Sequence, residues 1–96
     1  MLMLITYDVN TTTAEGRRRL SRIAKVCCDY GQRVQNSVFE CSLDNAQFVV
    51  VKKRLMDIMD ESQDSIRFYN LGNNYSKRIE QYGAKISYDP EGELIL

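Results

Sequence analysis

The segment at residues 2–9 (LMLITYDV) constrains the fold more than any other part of the chain, because nearly all of its side chains are apolar or favour β-structure. A strand without polar alternation is typical of a position that is covered on both faces. We therefore predict that this segment forms the central strand of a sheet.

The segment that follows has the pattern of an amphipathic helix. Thr12 and Glu15 have the spacing of a capping box, and Gly31 stands where the helix is expected to end. Between them, apolar residues recur at intervals of three and four, as on one face of a helix. These residues are Leu20, Ile23, Ala24 and Cys27.

Residues 32–43 have strand character, but the apolar positions change phase between Val34 and Phe39. A one-residue change of phase moves side chains to the opposite face of a sheet. We therefore predict a bulge or a tight reversal near Asn36 and Ser37, which divides the segment into two strands.

A second helix and a final strand are predicted next. Asp44 and Gln47 form the N-terminal cap of the helix, which is expected to end near Asp60 or Glu61. Residues 66–71 are strand-like and precede the turn sequence at 72–74. The apolar positions of the helix are Phe48, Val51, Leu55, Ile58 and Met59.

The predicted order of elements is β-α-β-β-α-β, the ferredoxin-like α+β pattern, in one domain spanning residues 1–96. Two helices then cover one face of an antiparallel sheet, and a second copy of the chain is the simplest cover for the other face. Residues 76–96 are an extension that includes strand character at 78–84 and a β-turn sequence at 89–92. We expect this extension to add an edge strand, to its own sheet or to a partner's.

The composition favours a cytoplasmic protein that does not bind membranes. The first residues lack the basic region of a signal peptide, and no apolar run approaches the roughly 20 residues that cross a bilayer. The three cysteines are an odd number without C-x-x-C spacing, which argues against a disulfide framework and against a zinc site. We expect reduced thiols in or near the core.

The chain has no histidine, which removes the commonest general base and the usual nitrogen ligand for metals. It also lacks a glycine-rich phosphate loop, a G-x-S-x-G sequence and a cysteine–histidine pairing, so triphosphate and acyl-transfer chemistry have no support. Carboxylates remain as the candidate chemical groups.

Asp8 is the only one of thirteen acidic residues that follows an apolar strand. Burial of a carboxylate there would cost on the order of several kcal/mol without compensation, and a cation is one compensating partner. Mg²⁺ prefers carboxylate oxygen, and two aspartates related by a dimer axis would bind it better than one. The alternative is that Asp8 caps a turn or the first helix together with Asn10.

Three further side chains are candidates for contact with a nucleic acid, and each has a simpler interpretation. Ser37 offers a hydroxyl or is a turn residue, and Arg33 offers charge to a phosphate or is an ordinary surface residue. Phe39 packs against a sugar or base or belongs to the core. Tyr7 is interpreted as a core or interface aromatic residue.

Basic residues are concentrated in one part of the chain. Residues 15–35 contain six basic and two acidic side chains, a local charge of +4 in a protein whose net charge is zero. Zero net charge argues against a protein that coats nucleic acid by charge alone. The basic segment is either a site for phosphate contacts or a solvated helix face.

Four segments together resemble one known family. They are LITYDV at 4–9, RRRL at 17–20, YGQRVQNSVFEC at 30–41 and RFYNLGNN at 67–74. Their order and spacing, over nearly the whole chain, are similar to those of the small CRISPR-associated nucleases that partner the CRISPR integrase in acquiring new spacers.

The resemblance implies a ferredoxin-like homodimer in which the two Asp8 side chains face each other and hold a divalent metal, Mg²⁺ or another cation such as Mn²⁺. It further implies metal-dependent cleavage of single-stranded RNA or double-stranded DNA, and bridging of two integrase dimers on DNA. The resemblance assigns catalysis to Asp8, Arg33, Ser37 and Phe39, and substrate binding to Tyr7, Arg17 and Arg19.

Three functions remain open at this point. The first is a metal-dependent endonuclease, and the second is a structural adaptor dimer that spaces integrase subunits on DNA without needing its own cleavage activity. The third is a regulatory module for a small ligand, because one fold hosts many functions.

Overall fold

A computed structural model of the chain describes residues 1–74, 78–80 and 82–83. In these residues the order of elements is β-α-β-β-α-β, as the sequence predicts, and four strands and two helices form a mixed α+β arrangement. The elements are β1 (Leu2–Asp8), α1 (Ala14–Tyr30), β2 (Gln32–Gln35), β3 (Val38–Ser42), α2 (Asn45–Ile58) and β4 (Ser65–Asn70).

The four described strands form one antiparallel sheet in the order β2-β3-β1-β4. The prediction that the first strand is central is confirmed, because β1 pairs with β3 along one edge and with β4 along the other. Ile5, in the middle of β1, stands opposite Phe39 on β3 and Phe68 on β4.

One face of the sheet packs against the two helices and forms the core. Side chains at alternate positions of β1 and β3, such as Ile5 and Phe39, are fully buried against apolar residues of the helices. Ile23 of α1 and Leu55 of α2 are also fully buried in this cluster. Alternation along a strand therefore decides which side chains meet the helices.

The opposite face of the sheet is only partly covered, and we call it the open face. At its start, Leu2 is fully buried where the chain after β4 returns beside it and the Leu2 N–H donates to the Gly72 carbonyl oxygen at 3.0 Å. Beyond that point the cover predicted for both faces of β1 is not found within the described chain. The other side chains of the open face are half-buried or exposed. They include Leu4, Thr6, Asp8, Val38, Glu40, Arg67 and Tyr69.

The N-terminal cap of α1 differs from the predicted one. Thr13 is the cap, and its hydroxyl accepts a hydrogen bond from the Gly16 N–H at 3.0 Å. Thr12 instead donates through its N–H and its hydroxyl to the side-chain oxygen of Asn10. The expected box of Thr12 with Glu15 was wrong because Asn10 organises the preceding turn and moves the helix start by one residue.

Gly31 ends α1 as predicted, but the reason is steric. Its backbone is extended, with φ −162°, and its N–H donates to the Cys27 carbonyl oxygen at 2.9 Å. A Cβ atom at this position would overlap the carbonyl oxygen of Glu40 and the sulfur of Cys41. The close approach of the helix end to β3 therefore requires a residue without a side chain.

The reversal predicted near Asn36 and Ser37 is confirmed, since these two residues form the turn between β2 and β3. The register between the strands shifts between Arg33 and Gln35, so a bulge is present as well. Both features account for the change of phase in the sequence.

The cap predicted for the second helix is also confirmed. The side chain of Asp44 accepts from the Gln47 N–H at 2.7 Å, and the side chain of Gln47 accepts from the Asp44 N–H at 3.0 Å. The last residue of α2 is Ile58, slightly earlier than the predicted end near Asp60.

The C-terminal extension lies mostly outside the described residues, and so does the turn sequence predicted at 89–92. Of the segment 78–84, residues 78–80 and 82–83 are described, and they form turns and irregular structure. Within the described part of the chain, neither helix has the length and apolar character that a membrane span requires.

We expect Thr13→Ala to lower the free energy of unfolding by about 1 kcal/mol, because the Gly16 N–H loses its cap. Thr12→Ala removes only an exposed contact with Asn10 and should change the same quantity by less than about 0.5 kcal/mol. Urea denaturation followed by circular dichroism measures both. A larger loss in Thr12→Ala than in Thr13→Ala would contradict the assigned cap.

Candidate functional site

Asp8 is the last residue of β1, and its side chain lies exposed on the open face. The burial expected from its position after an apolar strand is not found in this chain. The alternative, in which Asp8 caps a turn, is not found either: among the described residues no group donates a hydrogen bond to its carboxylate. Asp8 therefore presents a solvent-accessible carboxylate at the end of the central strand.

Ser37 lies at the same end of the sheet as Asp8. It stands in the turn between β2 and β3, and its carbonyl oxygen accepts a hydrogen bond from the Tyr7 N–H at 3.1 Å. Because Tyr7 is the neighbour of Asp8, this bond ties the turn to the end of β1. The structure therefore places Ser37 both as a turn residue and next to the candidate site.

Tyr7, Phe39 and Arg33 form a stack on the helix-covered side of the sheet, opposite the Asp8 carboxylate. The rings of Tyr7 and Phe39 are stacked with centroids 6.1 Å apart, and the Arg33 guanidinium lies 5.1 Å from the Phe39 centroid. Phe39 is 0% exposed, so in this chain its ring has no surface to offer a sugar or a base. Besides Tyr7 and the core, the ring contacts the Arg33 guanidinium in a cation–π interaction.

The Tyr7 phenol is protonated at neutral pH. Burial raises the pKa of Tyr7 above its usual value, and the nearby thiol of Cys27 adds to this, while Arg33 lowers the pKa. The hydroxyl makes a long hydrogen bond of 3.5 Å to the Asn36 carbonyl oxygen. Tyr7 therefore links the stack that it forms with Phe39 and Arg33 to the turn that contains Ser37.

The two predicted substrate-binding arginines of α1 have different surroundings. Arg17 is exposed, and its guanidinium donates to the Thr11 carbonyl oxygen at 3.2 Å. Arg19 is only 14% exposed at its side chain and forms an ion pair with Asp64, with Nε to Oδ2 at 2.8 Å. Of these two residues, Arg17 has its charge at the surface, whereas Arg19 is engaged within the chain.

Asp64 is the buried carboxylate that sequence reasoning missed. Its side chain is 0% exposed, and it accepts hydrogen bonds from the Asn10 N–H at 3.1 Å and the Asp60 N–H at 3.0 Å, besides two from Arg19. The hydrogen bonds from Arg19 in particular hold the pKa of Asp64 below its usual value, against the opposing effect of burial. The sequence carries little signal for it, since its charged partner stands 45 residues away.

The donors that a metal ion would find here are limited to oxygen. No group of three or more histidine, cysteine or acidic side chains suited to a metal ion occurs in residues 1–74, 78–80 and 82–83. Burial raises the pKa of Cys27 to about 12 and that of Cys41 to about 11, so these thiols stay protonated at neutral pH. The exposed carboxylate of Asp8 has the chemistry that Mg²⁺ or Mn²⁺ prefers, but one chain contributes a single such ligand.

A family model described as CRISPR associated protein Cas2 matches residues 1–79 of the chain. The chain belongs to the Cas2 family. The predicted resemblance to the small CRISPR-associated nucleases is thereby confirmed, and it extends over every described strand and helix.

Relatives and solved structures support the same family. A relative from Chlorobaculum tepidum named "CRISPR-associated endoribonuclease Cas2" is 59% identical over 96 residues, which is 100% of each chain. One from Halalkalibacterium halodurans, named "CRISPR-associated endonuclease Cas2", is 54% identical over 95 residues, or 99% of each chain. The crystal structure of Streptococcus pyogenes Cas2 at pH 6.5 matches with a TM-score of 0.77 and 61% identity, over 86% of this chain and 100% of that one.

We expect Asp64→Asn to be less stable than the wild type at pH 7, with a difference that shrinks below about pH 4. A carboxyl whose pKa is lowered by folding stabilises the fold above its unfolded pKa, about 3.9, and this contribution is lost as the pH falls through the folded value. At low pH the protonated wild type lacks the same ion pair that asparagine removes. Urea denaturation at pH 7 and pH 3 measures the difference.

Asp57→Asn is the matched control, since Asp57 forms an exposed ion pair with Lys53 at 3.7 Å. Exposed pairs contribute little, so this variant should resemble the wild type at both pH values. An Asp64→Asn deficit of equal size at pH 7 and pH 3 would show that the ion pair is not its cause.

Proposed function

We propose that this protein is a metal-dependent endonuclease that acts as a homodimer of ferredoxin-like subunits and takes part in the acquisition of new CRISPR spacers with the integrase. Its substrate is RNA or double-stranded DNA, hydrolysed at phosphodiester bonds. Membership in the Cas2 family and the nuclease names of relatives at 54–59% identity support the activity.

The position of Asp8 is the observation that carries this proposal. Its carboxylate is exposed at the end of the central strand, on a face that also presents partly exposed apolar side chains such as Leu4 and Val38. A second copy packed over the open face would cover those apolar groups and bring its own Asp8 towards the first. Two aspartates would then supply the second carboxylate ligand for a metal ion that a single chain lacks at this place.

Asp8 from each copy would hold Mg²⁺ or Mn²⁺. A divalent ion in such a site supplies a more acidic bound water and neutralises charge that develops on phosphoryl oxygen. The exposed end of β1 leaves the Asp8 carboxylate oxygens accessible. Ser37, whose carbonyl oxygen is bonded to the neighbouring Tyr7 N–H, would donate its hydroxyl to a phosphate.

Arginines around this end of the sheet would hold the phosphate backbone. Arg17, Arg18 and Arg22 are exposed on α1, which begins at Ala14, six residues after Asp8. The Arg33 guanidinium packs on the ring of Phe39. Contacts of this kind position a backbone without reading bases, so we expect weak sequence preference and strong dependence on salt.

A structural adaptor is the second candidate function, and the spread of the predicted site residues favours it. Asp8 lies on the open face, Phe39 is buried under the helices, and Arg19 is engaged by Asp64. An adaptor needs the dimer and its basic surfaces but not a complete catalytic centre. In that case cleavage by the protein would be incidental to spacer acquisition.

We expect Asp8→Asn to lower Mg²⁺-dependent cleavage of RNA or double-stranded DNA by roughly 10²-fold or more, since losing one electrostatic stabiliser of a transition state has an effect of that order. Asp57→Asn makes the same chemical change at an exposed site on α2 and should cleave like the wild type. Cleavage assays with and without Mg²⁺ test this, after sedimentation has shown that each variant is dimeric.

Integration of spacers with the partner integrase separates the two candidates. Loss of both cleavage and integration in a folded, dimeric Asp8→Asn protein supports the endonuclease. Loss of cleavage alone supports the adaptor. Undiminished cleavage would show that Asp8 is not part of the catalytic site.

A further inference from the structure

We propose that Arg19 and Asp64 are a positioning pair for Asp8: they fix the backbone on both sides of it, and Arg19 acts through Asp64 rather than by contacting nucleic acid. This inference deepens the proposed function and rests on it for its effect on cleavage. The structural part of the inference, that the pair fixes the backbone, can be tested without an activity assay.

The Asp64 carboxylate receives hydrogen bonds at both of its oxygens. Oδ2 accepts from Arg19 Nε at 2.8 Å and from the Asp60 N–H at 3.0 Å. Oδ1 accepts from the Asn10 N–H at 3.1 Å and from Arg19 Nη2 at 3.3 Å. The forked guanidinium and two backbone donors thus hold the carboxylate in one orientation.

Both backbone segments that flank Asp8 are attached to this carboxylate. Asn10, whose N–H it accepts, stands two residues after Asp8 in the chain. Ser65, which follows Asp64 directly, is the residue paired with Asp8 across β1 and β4. The end of β1 is therefore fixed in two ways: through Asn10, which follows it in the chain, and through Ser65 of the neighbouring strand β4.

The buried neighbours of Asp8 convert this attachment into a direction for its side chain. Tyr7 is 6% exposed and Val9 is 9% exposed, and both belong to the core cluster. Alternation then requires the side chain between them to point away from the core. A shift of the loop at Asn10 would move Val9 and turn the Asp8 carboxylate from the open face.

A second set of hydrogen bonds joins the same two loops. The Asn10 side chain accepts from the Thr12 N–H and hydroxyl and donates to the Gln63 side-chain oxygen at 3.3 Å. The Asp60 carboxylate in turn accepts from the Gln63 side chain at 2.7 Å. Because the polar groups of both loops bond to each other, Asp64 lies within a connected network rather than in an isolated pair.

Arg18 offers a matched comparison, since it is adjacent in sequence to Arg19 but exposed on α1. If Arg19 is a positioning residue, Arg19→Gln should lower kcat by roughly 10- to 100-fold, the usual effect of losing an outer-shell partner, without changing the salt dependence of nucleic-acid binding. Arg18→Gln should raise KM and reduce the slope of log affinity against log salt by about one. Arg19→Lys should not restore kcat, because lysine lacks the fork that reaches both oxygens.

A readout without substrate or metal completes the test. In the metal-free protein, Asp64→Asn should shift the backbone amide resonances of Asp8, Asn10 and Ser65, while Asp57→Asn leaves them in place. Arg19→Gln should shift the same three amides, which keeps the test available if Asp64→Asn does not fold. In a separate titration, Mn²⁺ binding measured by paramagnetic broadening should weaken roughly 10- to 100-fold in Asp64→Asn and Arg19→Gln.

Two results would overturn the inference. One is an Arg19→Gln protein that behaves like Arg18→Gln, with a higher KM and a smaller salt slope, because Arg19 would then contact the nucleic acid. The other is unchanged amide resonances at Asp8, Asn10 and Ser65 in folded Arg19→Gln. If the wild type itself fails to cleave, the proposed function fails, and the amide shifts still decide whether the pair positions Asp8.

Discussion

The structure depends on β1 being hydrogen-bonded along both of its edges, to β3 and to β4. A strand held in this way cannot slip by one residue without moving every side chain to the opposite face. Tyr7 is therefore inside the core and Asp8 outside it. A slip would bury the Asp8 carboxylate under the helices, so the accessible carboxylate is a direct consequence of the register.

Where β1 ends, a different interaction takes over from the sheet. The chain leaves the sheet at Asp8, and β4 enters it at Ser65, so the strand ladder no longer fixes the backbone beyond these residues. Asp64 continues the constraint, because its buried carboxylate is bonded to the Asn10 N–H and to Arg19. Burying a charge is unfavourable unless it is paired and hydrogen-bonded. Here both conditions are met by Arg19 of α1 and by backbone N–H groups in the loops that follow β1 and α2.

The sequence predicted what local patterns determine. Strand order along the chain, both helices, the reversal at Asn36 and the Asp44 cap all follow from spacing between near neighbours. One of the two errors is local and the other comes from a tertiary contact. Thr12 was expected as a cap because the pattern does not show that Asn10 binds its hydroxyl. Asp64 was missed because burial and a partner 45 residues away leave no periodic signal.

Tertiary structure also decides what the sequence could not predict about the candidate site. Motif positions named Asp8, Arg33, Ser37 and Phe39 together, but a motif does not say which face of a sheet a residue occupies. In the structure Phe39 lies under Arg33, whose guanidinium is 5.1 Å from the ring centroid, so the two residues act as one unit with only Arg33 exposed.

This arrangement bears on the kind of substrate that fits the proposed function. Arg33 lies against Phe39 on the helix-covered side of the sheet, whereas the Asp8 carboxylate lies on the open face. A small ligand on one face would meet only one of these groups. A nucleic-acid backbone is long enough to meet both, and its repeated phosphates suit arginines that are spread along α1. The geometry therefore favours a polymeric substrate over the small-ligand function that the sequence left open.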